Sequence, residues 1–131
     1  MPENTPPSAI APLASVSIDC PRPDDLAPFY CALLGLEGAF AAEDRSVVCL
    51  AGAGPMITLM QADEYVAPQW PHGPQRAQMH LDLAAEDLES AVDAARRIGA
   101  RQADVQPDPS AWRVMLDPVG HPFCLSAVRP D

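Results

Sequence analysis

One order of secondary-structure signals occurs twice along this chain of 131 residues. In each half, a short alternating strand pattern precedes an amphipathic helix that ends at glycine, and further short strand patterns follow. The two apolar helix stripes match at one constant offset, so that Leu26, Phe29, Tyr30 and Leu33 correspond to Leu88, Ala91, Val92 and Ala95. A duplicated unit explains this match better than coincidence, and the chain is therefore expected to form one α+β domain of two βαβββ modules.

The first module is expected over residues 13–61. A strand over 13–20 leads through a Pro-rich turn into the first helix, which Asp24 or Asp25 is expected to cap and Gly35 to close. Strand patterns follow at 36–42, 46–51 and 55–61. The residues before this module, 1–12, carry four prolines and little periodicity, and we expect a disordered tail there.

The second module is expected over residues 77–128, after a linker loop at 62–76 that is rich in proline and glycine. A strand over 78–83 precedes a helix that starts near Leu88 and is closed by Gly99. The remaining strand patterns lie at 101–105, 111–116 and 122–128. The whole globular domain is thus predicted over residues 13–131.

The charge and the cysteines exclude several classes of function. A net charge of -10 disfavours binding to nucleic acid or to an anionic membrane surface. The chain has no apolar run near the roughly 20 residues that span a bilayer and no secretory leader pattern, so a cytoplasmic protein is expected. Its four cysteines are scattered without a CxxC pair, which favours buried free thiols.

Several short motifs along both halves resemble the vicinal oxygen chelate superfamily, and in particular its glyoxalase-like domains. The most specific is the closing segment Asp117-Pro118-Val119-Gly120-His121-Pro122-Phe123. The others are Ile18-Asp19-Cys20-Pro21, Phe29-Tyr30, Leu33-Leu34-Gly35-Leu36, His80-Leu81-Asp82-Leu83 and Gly99-Ala100. The resemblance implies that the paired modules form an open half-barrel sheet, with helices on the convex side and a ligand in the concave cavity.

The resemblance also implies four positions for a divalent metal, on the first and last strand of each module. Ser15, Thr58, His80 and Cys124 occupy these positions, and only His80 matches the ligand types of the family. The family's metal site is therefore expected to be degenerate, and no cofactor is predicted. If a metal does bind, the residues that would hold it are His80 and Cys124, with a softer ion such as zinc.

Strand alternation independently assigns side chains to a core face and to a cavity face. The apolar set Val16, Ile18, Ile57, Leu59, Met79, Leu81, Leu83, Phe123 and Leu125 is expected to pack under the helices. The predicted ligand-binding residues are His80, Ser15, Thr58, Met60, Trp70, Gln78, Arg113 and Cys124. Three of these have an alternative role: His80 as a hydrogen-bonding partner of Asp82 or Gln78, Arg113 as a solvated side chain, and Met60 as a filler of a gap in the core.

Three hypotheses of function follow. The first is a small-molecule-binding protein that holds its ligand in the concave cavity without a complete metal site. The alternative is a metal-dependent lyase, isomerase or dioxygenase of the vicinal oxygen chelate type that uses His80. In the third, the chain is a subunit or accessory domain for which pairing with a second copy matters most. The resemblance implies a homodimer, since members of the superfamily commonly dimerise and some complete their sites across subunits.

Overall fold

The computed structural model describes residues 8–127 and has two modules with the same order of elements. In the first module these elements are β1 (Ser15–Cys20), α1 (Pro23–Leu34), β2 (Glu37–Ala41), β3 (Val47–Ala51) and β4 (Met56–Gln61). In the second they are β5 (Leu81–Ala84), α2 (Leu88–Arg97), β6 (Arg101–Gln102), β7 (Trp112–Leu116) and β8 (Pro122–Ser126). The predicted pair of βαβββ modules is confirmed, and most of the tail predicted over 1–12 lies outside the described residues.

Each module forms its own four-stranded mixed sheet with the same topology. The strand order is β1-β4-β3-β2 in one sheet and β5-β8-β7-β6 in the other. The first strand of each module runs parallel to the last, and the other neighbours are antiparallel. Neither sheet closes into a barrel, so each keeps one face covered by a helix and one face that we call its open face.

The helix-covered faces of both sheets share one apolar core. Alternate residues of β1, β4 and β8 enter this core together with the buried faces of α1 and α2, as strand alternation predicts. Every member of the predicted core set lies in or against it except Met79, whose side chain is 86% exposed. The prediction for Met79 is wrong because this residue precedes β5, so the alternation of that strand does not extend to it.

Strand β5 begins three residues later than the sequence pattern predicts. Its neighbour β8 begins at Pro122, which pairs with Leu116 of β7 and has no N–H for a ladder that would continue toward His80. Gln78, Met79 and His80 therefore belong to the end of the linker.

The two helices begin differently. Helix α1 has Arg22 as its N-cap and Pro23 in its first turn, and no side chain accepts a hydrogen bond there, so neither Asp24 nor Asp25 is the cap. Helix α2 begins at Asp87, whose carboxylate accepts a hydrogen bond of 2.9 Å from the backbone N–H of Ser90. The cap prediction for α1 is wrong because proline is favoured at the first helical position, so the helix begins at Pro23 and both aspartates lie inside its first turn.

A buried polar contact joins the modules. The hydroxyl of Tyr30 in α1 donates a hydrogen bond of 2.5 Å to Asp117 in the turn between β7 and β8, and the ring of Phe29 packs against Phe123. The other carboxylate oxygen of Asp117 accepts hydrogen bonds from the backbone N–H groups of Val119 and His121.

Among residues 8–127, no helix is long and apolar enough to cross a membrane.

Candidate functional site

The open faces of the two sheets hold most of the predicted site residues. Ser15, Thr58 and Met60 lie on the open face of the first module, and Cys124 lies on that of the second. His80 and Gln78 lie just before β5, and Trp70 comes from the linker. Arg113 is the exception, because it pairs with Leu125 and therefore points toward the helix-covered face.

Two hydroxyl groups face each other on the first open face. The side-chain oxygens of Ser15 and Thr58 are 2.6 Å apart, which is a short hydrogen bond between neutral groups. The sulfur of Cys49, the register partner of Thr58, lies 3.6 Å from the same threonine oxygen. Each hydroxyl thus has a protein partner.

This hydroxyl pair does not fit the divalent metal that the fold family implies. Neutral hydroxyls are weak ligands compared with imidazole, carboxylate or thiolate groups, and these two already satisfy each other. A metal shared by both modules would need two strong ligands from β1 and β4, and Ser15 and Thr58 supply neither. At these two positions the structure therefore offers a metal only neutral hydroxyl groups.

Two large apolar side chains are exposed on the first open face, where the exposed Asp19 is the register partner of one of them, Met60. Phe40 on β2 and Met60 on β4 are 62% and 38% exposed, which is unusual for large apolar side chains on a sheet. Val47, the register partner of Met60, is half-buried between them. Thioether and aromatic groups of this kind offer an adaptable surface to a flat apolar molecule or to another chain.

A different set of groups meets on the second open face. Asp82 on β5 and Cys124 on β8 are register partners, and His80 lies two residues before Asp82. The Nε2 atom of His80 is 3.3 Å from a carboxylate oxygen of Asp82, and the ligand atoms of all three residues lie within 4.8 Å of one another. Three side chains of different metal-ligating types therefore meet here.

Cys124 is not a ready nucleophile. Its side chain is buried, and burial, followed by the charge and the hydrogen bond of Asp82, raises the pKa of its thiol to about 11. The thiolate is the reactive form of cysteine, and a carboxylate neighbour disfavours it. Without a cation nearby, Cys124 keeps its proton at neutral pH.

Trp70 covers part of the second open face. This linker side chain packs with Trp112 and Leu116 against a small buried cluster of Ala103, Val114 and Cys124. The side-chain amide of Gln106 bonds to the backbone of Val114 through both its oxygen and its nitrogen. The face that carries Cys124 therefore has a fixed aromatic wall.

Arg113 lies away from these groups. Its guanidinium forms an ion pair with Glu89 at the start of α2 and donates a hydrogen bond to the backbone oxygen of Pro109. These contacts hold Arg113 on the helix side of the sheet, because odd-numbered residues of β7 face the core there. The structure does not bring Arg113 together with the other predicted residues.

The linker is fixed against the rest of the molecule by residues that sequence reasoning did not select. The hydroxyl of Tyr65 donates a hydrogen bond to the backbone oxygen of Val119, and Nε2 of His121 lies 2.6 Å from the backbone oxygen of Asp19. A groove of about 410 Å³ runs beside this contact and includes Gln78 and Met79 in its wall. Gln78 therefore faces a linker groove.

Comparison with known proteins identifies the fold. Residues 15–126 match the family model described as "Glyoxalase-like domain". The fosfomycin resistance protein FosX from Listeria monocytogenes, solved as a variant with Mn(II) and 1S,2S-dihydroxypropylphosphonic acid, is 14% identical with a TM-score of 0.68, covering 92% of this chain and 93% of its own. No curated protein matches this chain.

Two further solved structures have the same fold. A glyoxalase/bleomycin resistance protein/dioxygenase family enzyme from Burkholderia phytofirmans PsJN is 17% identical with a TM-score of 0.63, over 88% of this chain and 97% of that one. TioX from Micromonospora sp. ML1 is 15% identical with a TM-score of 0.59, over 88% of this chain and 98% of its own. At these identities the likeness concerns the fold.

Proposed function

The chain belongs to the glyoxalase-like domain family of the vicinal oxygen chelate superfamily, and from this premise we propose that it binds a small organic molecule on its open faces without the family's complete metal site. In this proposal the ligand is held by shape and by apolar contact. The protein would then sequester or carry its ligand rather than transform it.

The observation that carries the proposal is the hydrogen bond between Ser15 and Thr58. These residues occupy two of the four positions that hold metal in metal-dependent relatives, and their hydroxyls are satisfied by each other. A ligand that approaches this face meets a neutral pair of hydroxyls together with the exposed apolar side chains of Phe40 and Met60. Such a surface selects against highly charged molecules.

The chemistry of the two faces narrows the class of ligand. Met60, Phe40 and Trp70 supply thioether and aromatic surface, and the net charge of -10 disfavours anions. Ser15, Thr58 and His80 supply a few polar groups that can fix the orientation of a ligand. We therefore propose a flat, largely apolar molecule that is neutral or carries one positive charge.

A thermal-shift screen against planar heteroaromatic compounds, neutral and monocationic, tests this proposal. A true ligand at 100 times its Kd stabilises the fold by about 2.7 kcal/mol. The same shift is expected in the presence of EDTA. Trp70→Ala is expected to weaken binding by about tenfold or more, because it removes an aromatic wall.

Val66→Ala is the matched control, since Val66 is an exposed apolar side chain of the same linker that does not pack on the second open face. It should bind the ligand as the wild type does. Loss of all binding in EDTA would reject the metal-independent mode of binding. A panel in which no compound stabilises the protein would reject the proposed ligand class.

The alternative function is a metal-dependent lyase, isomerase or dioxygenase that uses His80. The group formed by His80, Asp82 and Cys124 favours this alternative, because a Lewis-acidic metal there would lie on the same face as the ligand. Turnover of a bound compound by metal-loaded protein, abolished in His80→Ala, would establish it. Tight ligand binding without turnover supports the binding protein.

We also propose that the protein works as a homodimer. The exposed Phe40 and Met60 support this assembly, because a second copy would remove from water the part of their apolar surface that a small ligand leaves uncovered. Light scattering after size exclusion distinguishes a dimer from a monomer. A Phe40→Ser/Met60→Ser variant that stays dimeric would place the dimer contact elsewhere.

A further inference from the structure

A groove of about 580 Å³ lies between α1 and α2, on the side of the second sheet that faces the helices. Its wall consists of the last residues of α1, one side of α2, the end of β5 with the two residues after it, and Leu125 of β8. Apart from Asp82 and Glu86, every described residue of this wall is alanine, leucine or isoleucine. We call it the interhelix groove, and it lies on the opposite side of the sheet from the open face that carries Cys124.

The interhelix groove exists because α2 carries smaller side chains than α1 at matching positions. Phe29 and Leu33 of α1 correspond to Ala91 and Ala95 of α2, and both alanines line the groove. Leu83 on β5 is only half-buried as a result, although its side chain packs against the shared core. An empty apolar groove lacks the contacts that a well-packed protein interior makes. Helix α2 therefore leaves room for an apolar group that does not belong to the described part of the chain.

The wall of the groove favours an aliphatic group over a flat aromatic one. Its described residues include no aromatic ring on which a planar ligand could stack. Side chains of alanine, leucine and isoleucine instead offer contacts to a flexible alkyl chain that lies along the groove. A volume of about 580 Å³ falls within the range of small-molecule sites. The interhelix groove therefore fits an alkyl chain.

The charges beside the groove select the head group of such a molecule. Asp82 directs its carboxylate toward His80 on the open face, so Glu86 is the charged side chain of the wall, and Asp87 follows it at the start of α2. These two carboxylates outweigh the positive end of the dipole of α2, which amounts to about half a charge. The described residues of the wall include no basic group. From this shape and charge we infer that the interhelix groove binds a single-chain amphiphile with a cationic head group.

The same charges disfavour a second copy of the chain as the occupant. Each chain has a net charge of -10, so two copies repel each other when one approaches the acidic start of α2. A small cation meets no such repulsion. The apolar side chains through which we propose that the dimer forms, Phe40 and Met60, lie on the open face of the first module.

Calorimetric titration of the full chain with alkyltrimethylammonium ions tests the inference. The octyl, decyl and dodecyl compounds are used below their critical micelle concentrations, and decanoate is the anionic counterpart of the decyl compound. One ion per chain is expected to bind. Affinity should rise between about twofold and fourfold for each added methylene group, since the groove covers the chain on one side at least. Decanoate should bind more weakly than the decyl cation.

Two substitutions in α2 test the position of the alkyl chain. Ala94 is exposed in the wall of the groove, so Ala94→Phe places a ring there without crowding the core, and it should weaken binding of the decyl cation by about tenfold or more. Ala91→Leu gives α2 part of the bulk that α1 has in Phe29 and should weaken binding as well. Ser90→Phe is the matched control, because Ser90 is exposed on the same helix outside the wall, and its affinity should stay within about twofold of the wild type.

A charge substitution tests the position of the head group. Glu86→Gln should weaken binding of the decyl cation by about twofold to fivefold, the range of an exposed ion pair. Glu43→Gln is the matched control, since it changes the net charge equally in the exposed turn between β2 and β3. Equal affinity in these two variants would contradict the cationic head group, and so would decanoate that binds as tightly as the decyl cation.

The alkyl site also has outcomes that would overturn it. Unchanged affinity in both Ala94→Phe and Ala91→Leu, or affinity that does not depend on chain length, would place the ion elsewhere. A dimer that dissociates in Ala94→Phe but not in Ser90→Phe would assign the groove to a second copy. The inference does not rest on the proposed function, because Trp70→Ala should leave binding of the decyl cation within about twofold. Loss of that binding in Trp70→Ala alone would assign the ion to the second open face.

Discussion

In the first module the turn between β3 and β4 contains Gly52 and Gly54, whereas the matching turn between β7 and β8 is organised by Asp117. The same contrast applies to the helices, because α2 has a side-chain cap and α1 does not. It applies again to the open faces, where a neutral hydroxyl pair faces a group of three metal-ligand types.

These differences show which positions a duplicated fold holds constant. Both modules keep the apolar residues that pack under a helix, since the shared core needs them. The polar positions of turns, caps and open faces depend on local partners, and they differ between the halves. The two open faces can thus carry chemically different side chains without any change in topology.

The largest expected effect concerns the two turns. Asp117→Ala leaves the buried hydroxyl of Tyr30 and two backbone N–H groups without their acceptor, so the free energy of unfolding should fall by about 3 kcal/mol. Tyr30→Phe removes a single hydrogen bond to a buried carboxylate and should cost about 2 kcal/mol. Urea unfolding of the two variants measures both changes in the free energy of unfolding.

The control for this prediction is Gly54→Ala in the turn of the first module. A methyl group added at Gly54 would point into open space, with no atom beyond the neighbouring residues within 4 Å, so the change should stay within about 0.5 kcal/mol. A loss at Gly54 as large as that at Asp117 would mean that the two turns contribute equally, contrary to the comparison.

Local periodicity made much of this fold predictable. The two helices, the order of the strands and nearly all of the core face follow from apolar residues that repeat every two or about 3.6 positions. The largest differences between the predicted and the observed structure occur where contacts with residues distant in sequence decide which way a side chain points. Met79 is exposed because β5 starts late, and Arg113 faces α2 because it pairs with Leu125, whose side chain lies in the core.

The candidate site was only partly predictable for the same reason. The sequence places His80 and Cys124 at family positions, but the contribution of Asp82 depends on its register with Cys124 across two strands. Strand alternation places Asp82 on the same face as His80, and this was the sequence signal that could have identified Asp82 as a member of the site. The contact between Ser15 and Thr58 likewise depends on the pairing of β1 with β4.

A smaller effect separates the two open faces. Ser15→Ala leaves the hydroxyl of Thr58 without its partner and should cost about 1 kcal/mol, whereas adding Thr58→Val should recover most of that loss. His80→Ala on the other face should cost at most about 0.5 kcal/mol, because its contact with Asp82 is exposed. Additive losses at Ser15 and Thr58 in a double-mutant cycle would show that the two hydroxyls do not act as a pair.

The smallest effect concerns the helix caps and their pH dependence. Asp87→Ala removes the cap of α2 and should lower Tm by about 2 °C at pH 7, whereas Arg22→Ala at the start of α1 should leave Tm unchanged.

The hydrogen bond from Ser90 lowers the pKa of Asp87 below its ordinary value. The cap therefore stabilises the protein fully above that ordinary value, near 3.9, and its contribution is lost as the pH falls through the lower pKa of the folded state. Thermal unfolding of both variants between pH 7 and pH 3 measures this loss of stabilisation. A Tm difference for Asp87→Ala that grew on acidification would contradict the prediction.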